Sequence, residues 1–200
     1  MWSRFLAILA LVAVPAFCFN SSVASAQSDK TIDILKIGTT APDVDFQPLG
    51  GEARVKLSDL TSDGPVVLVV LRGYPGYQCP ICSRQVRDLI SHADQFESLG
   101  AKVVLVYPGP ADNLAQRATE FLRGTELPHN FLFMIDPDYA FTNLYDLRWD
   151  ATKETAYPST FVLDEDRVVK FRTISTSHGG RANTSDVIAA VEQVAGANAN

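Results

Sequence analysis

The clearest signal along the chain is PVVLVVL, Pro65 to Leu71, an unbroken apolar run that is mostly β-branched. A run this short, with no polar alternation, predicts a strand buried on both faces. From Pro80 the period changes. Val86, Leu89, Ile90, Ala93 and Phe96 recur at helical spacing in PICSRQVRDLISHADQFESLG, and Gly100 suits the C-terminal stop. Strand and helix patterns then alternate: KVVLVY (102–107) as strand, ADNLAQRATEFLRG (111–124) as helix, NFLFMID (130–136) as strand, PDYAFTNLYDL (137–147) as a shorter helix. STFVLDEDRVVKFRT (159–173) reads as two strands around an acidic turn, and SDVIAAVEQVAG (185–196) as a closing helix. Ahead of the buried run, IGTTAPDVDFQPLGGEARVKLSDL (37–60) has the alternation and Gly-Gly turn of a short hairpin.

This alternation predicts an α/β domain with a central sheet flanked by helices. The last two strands are too close in sequence for a crossover, so they form a hairpin and the sheet is mixed. There is no internal repeat and no second domain; the domain is expected over 36–196, with a frayed tail at 197–200.

The first residues, MWSRFLAILALVAVPAFCFNSSVASAQ, read as a leader rather than as fold. Arg4 supplies the positive start, Phe5 to Phe19 form an apolar stretch interrupted by Pro15, and Ala24–Ala26 give the small-x-small cleavage pattern. The apolar stretch is short for a membrane-spanning helix, although an uncleaved anchor is the alternative. Cleavage is expected after Ala26, followed by a linker over 27–35 and export to a periplasmic or extracellular space. Cys18 would leave with the leader, and bulky Phe17 before it fits lipoprotein processing poorly.

Composition excludes some partners. A net charge of −6 with no basic run leaves nothing to neutralise phosphates, so nucleic acid is not expected. Cysteine usage adds more, because the remaining pair, Cys79 and Cys82, sits in RGYPGYQCPICSR. So short a loop crosslinks little, and the spacing reads as chemistry instead. Pro80 fits the first position of a helix, which makes Cys79 the N-cap and Cys82 the third residue. Both sulfurs then lie near unpaired N–H groups and the positive helix end, which favours thiolate. Residues so placed can also form a disulfide, Cys79–Cys82. A zinc site is not expected: no second cysteine pair follows, and His92, His129 and His178 are not at ligand spacing. Inert packing is the bland alternative, against which the polar flanks GYPGYQ argue.

On these residues the chain resembles the alkyl hydroperoxide reductase / thiol-specific antioxidant family, peroxiredoxin-like members of the thioredoxin-fold superfamily. The likeness covers about residues 36–196. The lead-in IGTTAPDVDF…VKLSDL…GPVVLVVLRG is similar to the family's opening hairpin and first core strand. FMIDPDYAFTNLYDL resembles its segment in which Asp-Pro begins a helix ending in Tyr, and GGRANTSDVIAAVEQV its Gly-Arg entry to the final helix. The resemblance implies a thioredoxin-like mixed sheet with helices on both faces and an N-terminal hairpin extension. Its active-site pattern, Pro, three residues, Thr or Ser, two residues, Cys, falls on Pro75, Cys79 and Cys82. Cys82 therefore takes the peroxidatic position and Cys79 replaces a hydroxyl residue. Arg181 would steady the thiolate and the departing oxygen, and Pro75 and Tyr77 would border the substrate.

A second likeness competes. CPIC is the C-x-x-C arrangement of thioredoxin-like disulfide oxidoreductases, and YPSTFVLD resembles their cis-proline segment, which would place Pro158 beside the dithiol. The primary expectation is an exported thiol peroxidase acting on hydrogen peroxide or a small organic hydroperoxide. Its disulfide would be restored by an external dithiol such as a thioredoxin-like protein, with no cofactor or metal. The alternative is protein disulfide exchange with Cys79 as nucleophile. A third class, a redox-inert binding module, is disfavoured by two intact cysteines. The aromatic residues Tyr74, Tyr77, Tyr107, Trp149 and Tyr157 read mainly as packing, and His178 as a surface residue. Reductant, preferred peroxide and oligomeric state are not legible here.

Overall fold

The computed structural model describes residues 35–198; the leader, its cleavage site, nearly all of the linker and the last two residues of the tail lie outside them. The chain first forms a hairpin, β1 (Asp45–Pro48) and β2 (Val55–Lys56), followed by the short helix α1 (Leu57–Thr61). The apolar run becomes β3 (Val66–Val70), and the cysteine loop leads into α2 (Pro80–Ile90) and α3 (Ala93–Ser98). Then come β4 (Lys102–Gly109), α4 (Leu114–Phe121), β5 (Phe131–Pro137) and α5 (Ala140–Leu144). The strands β6 (Ser159–Leu163) and β7 (Val169–Ile174) and the helix α6 (Thr184–Asn198) complete the described chain.

Among the described residues the strands form one mixed sheet in the order β2-β1-β5-β4-β3-β6-β7. β3 pairs in parallel with β4 and β4 with β5, while β6 is antiparallel to both β3 and β7. The N-terminal hairpin extends the sheet through the antiparallel pair β1–β5. All five β3 residues are fully buried, as an unbroken apolar run demands of a strand covered on both faces. Side chains alternate along it. Val67 and Val69 pack with Val86, Phe96, Ala118 and Val191, from α2, α3, α4 and α6. Val66, Leu68 and Val70 face Leu57, Phe141 and Tyr145, under α1 and α5. The mixed central sheet expected from the pattern is observed, and with it the thioredoxin-like architecture that the resemblance implies.

The helices depart from expectation at their ends. The single helix expected from Pro80 to Gly100 is broken at Ser91–His92, where His92 has φ −113° and ψ 18°. The Ser91 hydroxyl donates to Asp88 O at 2.7 Å and the His92 ring contacts the same carbonyl at 2.9 Å. Short polar side chains that capture helix carbonyls in this way end the turn. α4 starts at Leu114 rather than Ala111, because Asn113 sits at φ 60°. Likewise α5 begins only after Asp138 and Tyr139, at φ 52° and 64°. The Asp136 carboxylate accepts the N–H groups of Phe141 (2.7 Å) and Thr142 (3.0 Å), anchoring the start of α5 from the end of β5. After α5, the Tyr145 hydroxyl donates to Pro42 O at 2.6 Å.

Candidate active site

The cysteine loop leaves the sheet at the end of its buried strand β3. Gly73 has φ +71°, and a Cβ there would lie 1.8 Å from Pro108 O, so only glycine lets the chain pass β4 at this point. The loop is then tied down by Gln78, which accepts from the Tyr107 hydroxyl at 2.8 Å and donates to Arg117 O at 2.9 Å. It ends at Cys79, the N-cap of α2, with Pro80 opening the helix.

Both thiols are buried, Cys79 at 2 % and Cys82 at 1 % exposure, and both are unbridged. The Cys82 N–H donates to Cys79 Sγ at 3.4 Å, the contact an N-cap side chain makes. Cys82 Sγ meets two donors: the Arg72 N–H at 3.3 Å and Arg181 Nη2 at 3.4 Å. Arg181 is held by Gln85, whose Oε1 accepts from Nη1 at 2.8 Å, and by the His178 carbonyl, which accepts from Nε at 3.2 Å. Three of the residues singled out by sequence, Cys79, Cys82 and Arg181, thus meet in space across 99 positions of chain.

The two thiols titrate in dependence on each other. A hydrogen bond from Cys82, helped by backbone N–H groups and Arg181 and opposed by burial, brings the Cys79 thiol down to about 5. That same bond, together with burial, pushes Cys82 well above the ordinary thiol range, although Arg181 pulls the other way. The pair therefore gives up its first proton easily and holds its second.

Pro75 borders a cleft of about 500 Å³ with Tyr74, Arg117, Tyr139 and Lys153. Tyr77 is half-exposed, and its hydroxyl accepts from Arg72 Nη1 at 2.5 Å. Pro158 does not match its expectation. No peptide bond among the described residues is cis, so Tyr157–Pro158 is trans. Pro158 instead leads into the edge pairing of β6, its carbonyl accepting from Ser175 N–H at 2.9 Å. An isolated trans proline at a strand start is ordinary backbone. Of the aromatic residues, Tyr107 is fully buried and packs on Phe121 and Phe133, while Trp149 and Tyr157 stack at 4.9 Å.

Sequence reasoning missed Arg72, Gln85 and Glu154; His178 is exposed, as expected, yet its ring reaches Glu154 and its carbonyl Arg181. Arg72 is 2 % exposed, and its Nε donates to Glu154 Oε2 at 2.7 Å. Burial works against its charge, but the bonds to Glu154 and Tyr77 prevail and raise its pKa. Burial likewise opposes the Glu154 carboxylate, and bonds from Arg72 and His178 outweigh it, holding Glu154 below the usual carboxylate range. One signal was available: an arginine directly after a doubly buried strand has little water to reach.

The Redoxin family model matches residues 36–190. The chain is 24 % identical over 169 residues to the 1-Cys peroxiredoxin PER1 of Hordeum vulgare, covering 80 % of this chain and 73 % of that one. The peroxidoxin BcpB of Mycobacterium tuberculosis superposes with a TM-score of 0.62 at 22 % identity, over 80 % of this chain and 98 % of its own. A yeast mitochondrial 1-Cys peroxiredoxin, whose thiol is resolved via glutathione/thioredoxin systems, gives 0.60 at 19 %, over 77 % and 73 %.

Proposed function

Because the chain belongs to the Redoxin family, we propose that it is a thiol peroxidase in which Cys82 reduces the peroxide and Cys79 resolves the product. The observation that carries this reading is the convergence of the Arg72 N–H and the Arg181 guanidinium on the Cys82 sulfur. Transfer of the remaining proton from Cys82 to Cys79 puts the thiolate where both donors already point. The Cys82 thiolate then attacks the terminal oxygen of the hydroperoxide. The S–O bond forms as the O–O bond breaks, leaving Cys82 a sulfenic acid, and the departing oxygen takes a proton to become water or an alcohol. Arg181 stabilises the negative charge that develops on that oxygen. In the second step the Cys79 sulfur displaces hydroxide from the Cys82 sulfenic acid, giving the Cys79–Cys82 disulfide and, with a proton, water. An external dithiol reduces it; a thioredoxin-like protein fits this role, in keeping with the yeast relative.

The leader at residues 1–26 belongs to the same proposal. Cleavage after Ala26 would deliver the protein to a periplasmic or extracellular space, and N-terminal sequencing of the protein recovered from that compartment checks it. Disulfide exchange led by Cys79 has lost its proline feature, since Pro158 follows a trans bond.

The test is the rate at which pre-reduced protein loses thiols to stoichiometric hydrogen peroxide. Fast oxidation should persist through a first turnover in Cys79→Ser, which then stalls, and disappear in Cys82→Ser. Oxidation no faster than a free thiol in all three proteins would overturn the proposal.

A further inference from the structure

The chemistry above leaves a buried ion cluster unused. Arg72 places its guanidinium in the interior, with Nε on Glu154 Oε2 (2.7 Å), Nη2 on Lys153 O (2.8 Å) and Nη1 on the Tyr77 hydroxyl (2.5 Å). A buried cation persists only when so fully partnered. The other carboxylate oxygen of Glu154, Oε1, meets His178 Nε2 at 2.8 Å. The His178 ring also lies against Trp149, centroid to centroid 5.6 Å.

Each arm continues to the same sulfur. On one side the backbone N–H of Arg72 itself donates to Cys82 Sγ. On the other, the His178 carbonyl accepts from Arg181 Nε, and Arg181 Nη2 donates to Cys82 Sγ. A closed ring therefore runs from one carboxylate, through two side chains on separate segments, to both donors on one thiol.

We propose that Glu154 is a positioning residue for Cys82: by gripping Arg72 with one oxygen and His178 with the other, it fixes both hydrogen-bond donors that face the sulfur. Its kinetic consequence rests on the peroxidase reading, while its effect on the sulfur does not. The two ways a carboxylate can influence a nearby thiol differ in sign. Acting through space, its negative charge opposes the thiolate, and neutralising it would favour ionisation. Acting through the donors it holds, its loss lets them drift from the sulfur and disfavours ionisation.

The experiment uses the Cys79→Ser protein, in which Cys82 titrates alone, and adds Glu154→Gln or His178→Phe. The phenylalanine keeps the ring against Trp149 and removes the nitrogen bonded to Glu154. Thiolate absorbance is followed against pH, oxidation by stoichiometric hydrogen peroxide is timed at neutral pH, and thermal melting reports folding. Both variants should move the thiolate midpoint upward and slow oxidation about tenfold, the size of one weakened charge-assisted hydrogen bond. Because His178 acts through Arg181, adding His178→Phe to Arg181→Met should cost almost nothing further. An unchanged or lowered midpoint in folded Glu154→Gln would overturn the proposal, as would fully additive losses in the Arg181 pair. If Glu154→Gln does not fold, the exposed His178→Phe decides by the same midpoint. If the parent and all variants oxidise no faster than a free thiol, the peroxidase reading falls and the midpoints still judge Glu154.

Discussion

Two thiols three residues apart are held by one helix start, but their surroundings differ. Cys79 takes the N-cap contact from the Cys82 N–H, whereas Cys82 lies deeper, between Arg72 and Arg181. The Cys79 thiol is depressed to about 5 and Cys82 raised, so the singly ionised pair is the resting form across neutral pH. Thiolate absorbance of the reduced protein should therefore grow in two separated steps. One thiolate appears as the pH rises through about 5, and the second only above the ordinary thiol range. Reactivity toward peroxide should fade as the pH drops through the first step, because the pair then carries both protons. A single titration near the ordinary thiol value would show that the two thiols titrate independently. Much of this local geometry was legible, because Pro80 marks a helix start and so places both cysteines. Arg72 and Glu154 were not. They stand 82 positions apart; Glu154 by itself reads as a solvated charge, and the place of Arg72 after a buried strand hints at burial but names no partner.

The elements around the site owe their placement to backbone details as much as to pattern. Gly73 is the clearest case, since its positive φ and the close pass of Pro108 O allow no side chain. Gly73→Ala should lower unfolding stability in urea by about 2–4 kcal/mol, combining left-handed strain with a backbone clash. It should also slow peroxide oxidation, since the turn at Gly73 sets where Arg72 and Cys79 leave the sheet. Wild-type stability in that variant would mean the loop can re-route. The strands were readable because apolar runs of this length have few other homes. The break between α2 and α3 was not, because apolar spacing continues through Ser91 and His92 while their side chains take the Asp88 carbonyl. The late starts of α4 and α5 follow from left-handed residues, Asn113 and Tyr139, which hydrophobic pattern does not report.

For the whole molecule, a sheet covered on both faces separates stability from chemistry. Leu105 in β4 is fully buried beneath the helices that carry the site, among Val103, Tyr107 and Phe133. Leu105→Ala should cost about 2–5 kcal/mol in chemical denaturation through the cavity it leaves. The first-turnover rate should stay near the parent's, because neither the donors on Cys82 nor their anchors touch this position through hydrogen bonds. A proportionate loss of rate would tie the site to core packing.

The hydrogen bonds that surround Cys82 also impose an order in time. Residues 72 and 82 leave the ribosome early, while Glu154 follows Arg72 by 82 positions and Arg181 follows Cys82 by 99. Contacts this distant in sequence form late, once the intervening loop has closed. Until β6, β7 and the start of α6 have docked, Cys82 lacks the guanidinium of Arg181 and Arg72 lacks its carboxylate. A growing or half-folded chain thus holds Cys82 without its guanidinium donor, and the site is complete only when its last third is in place.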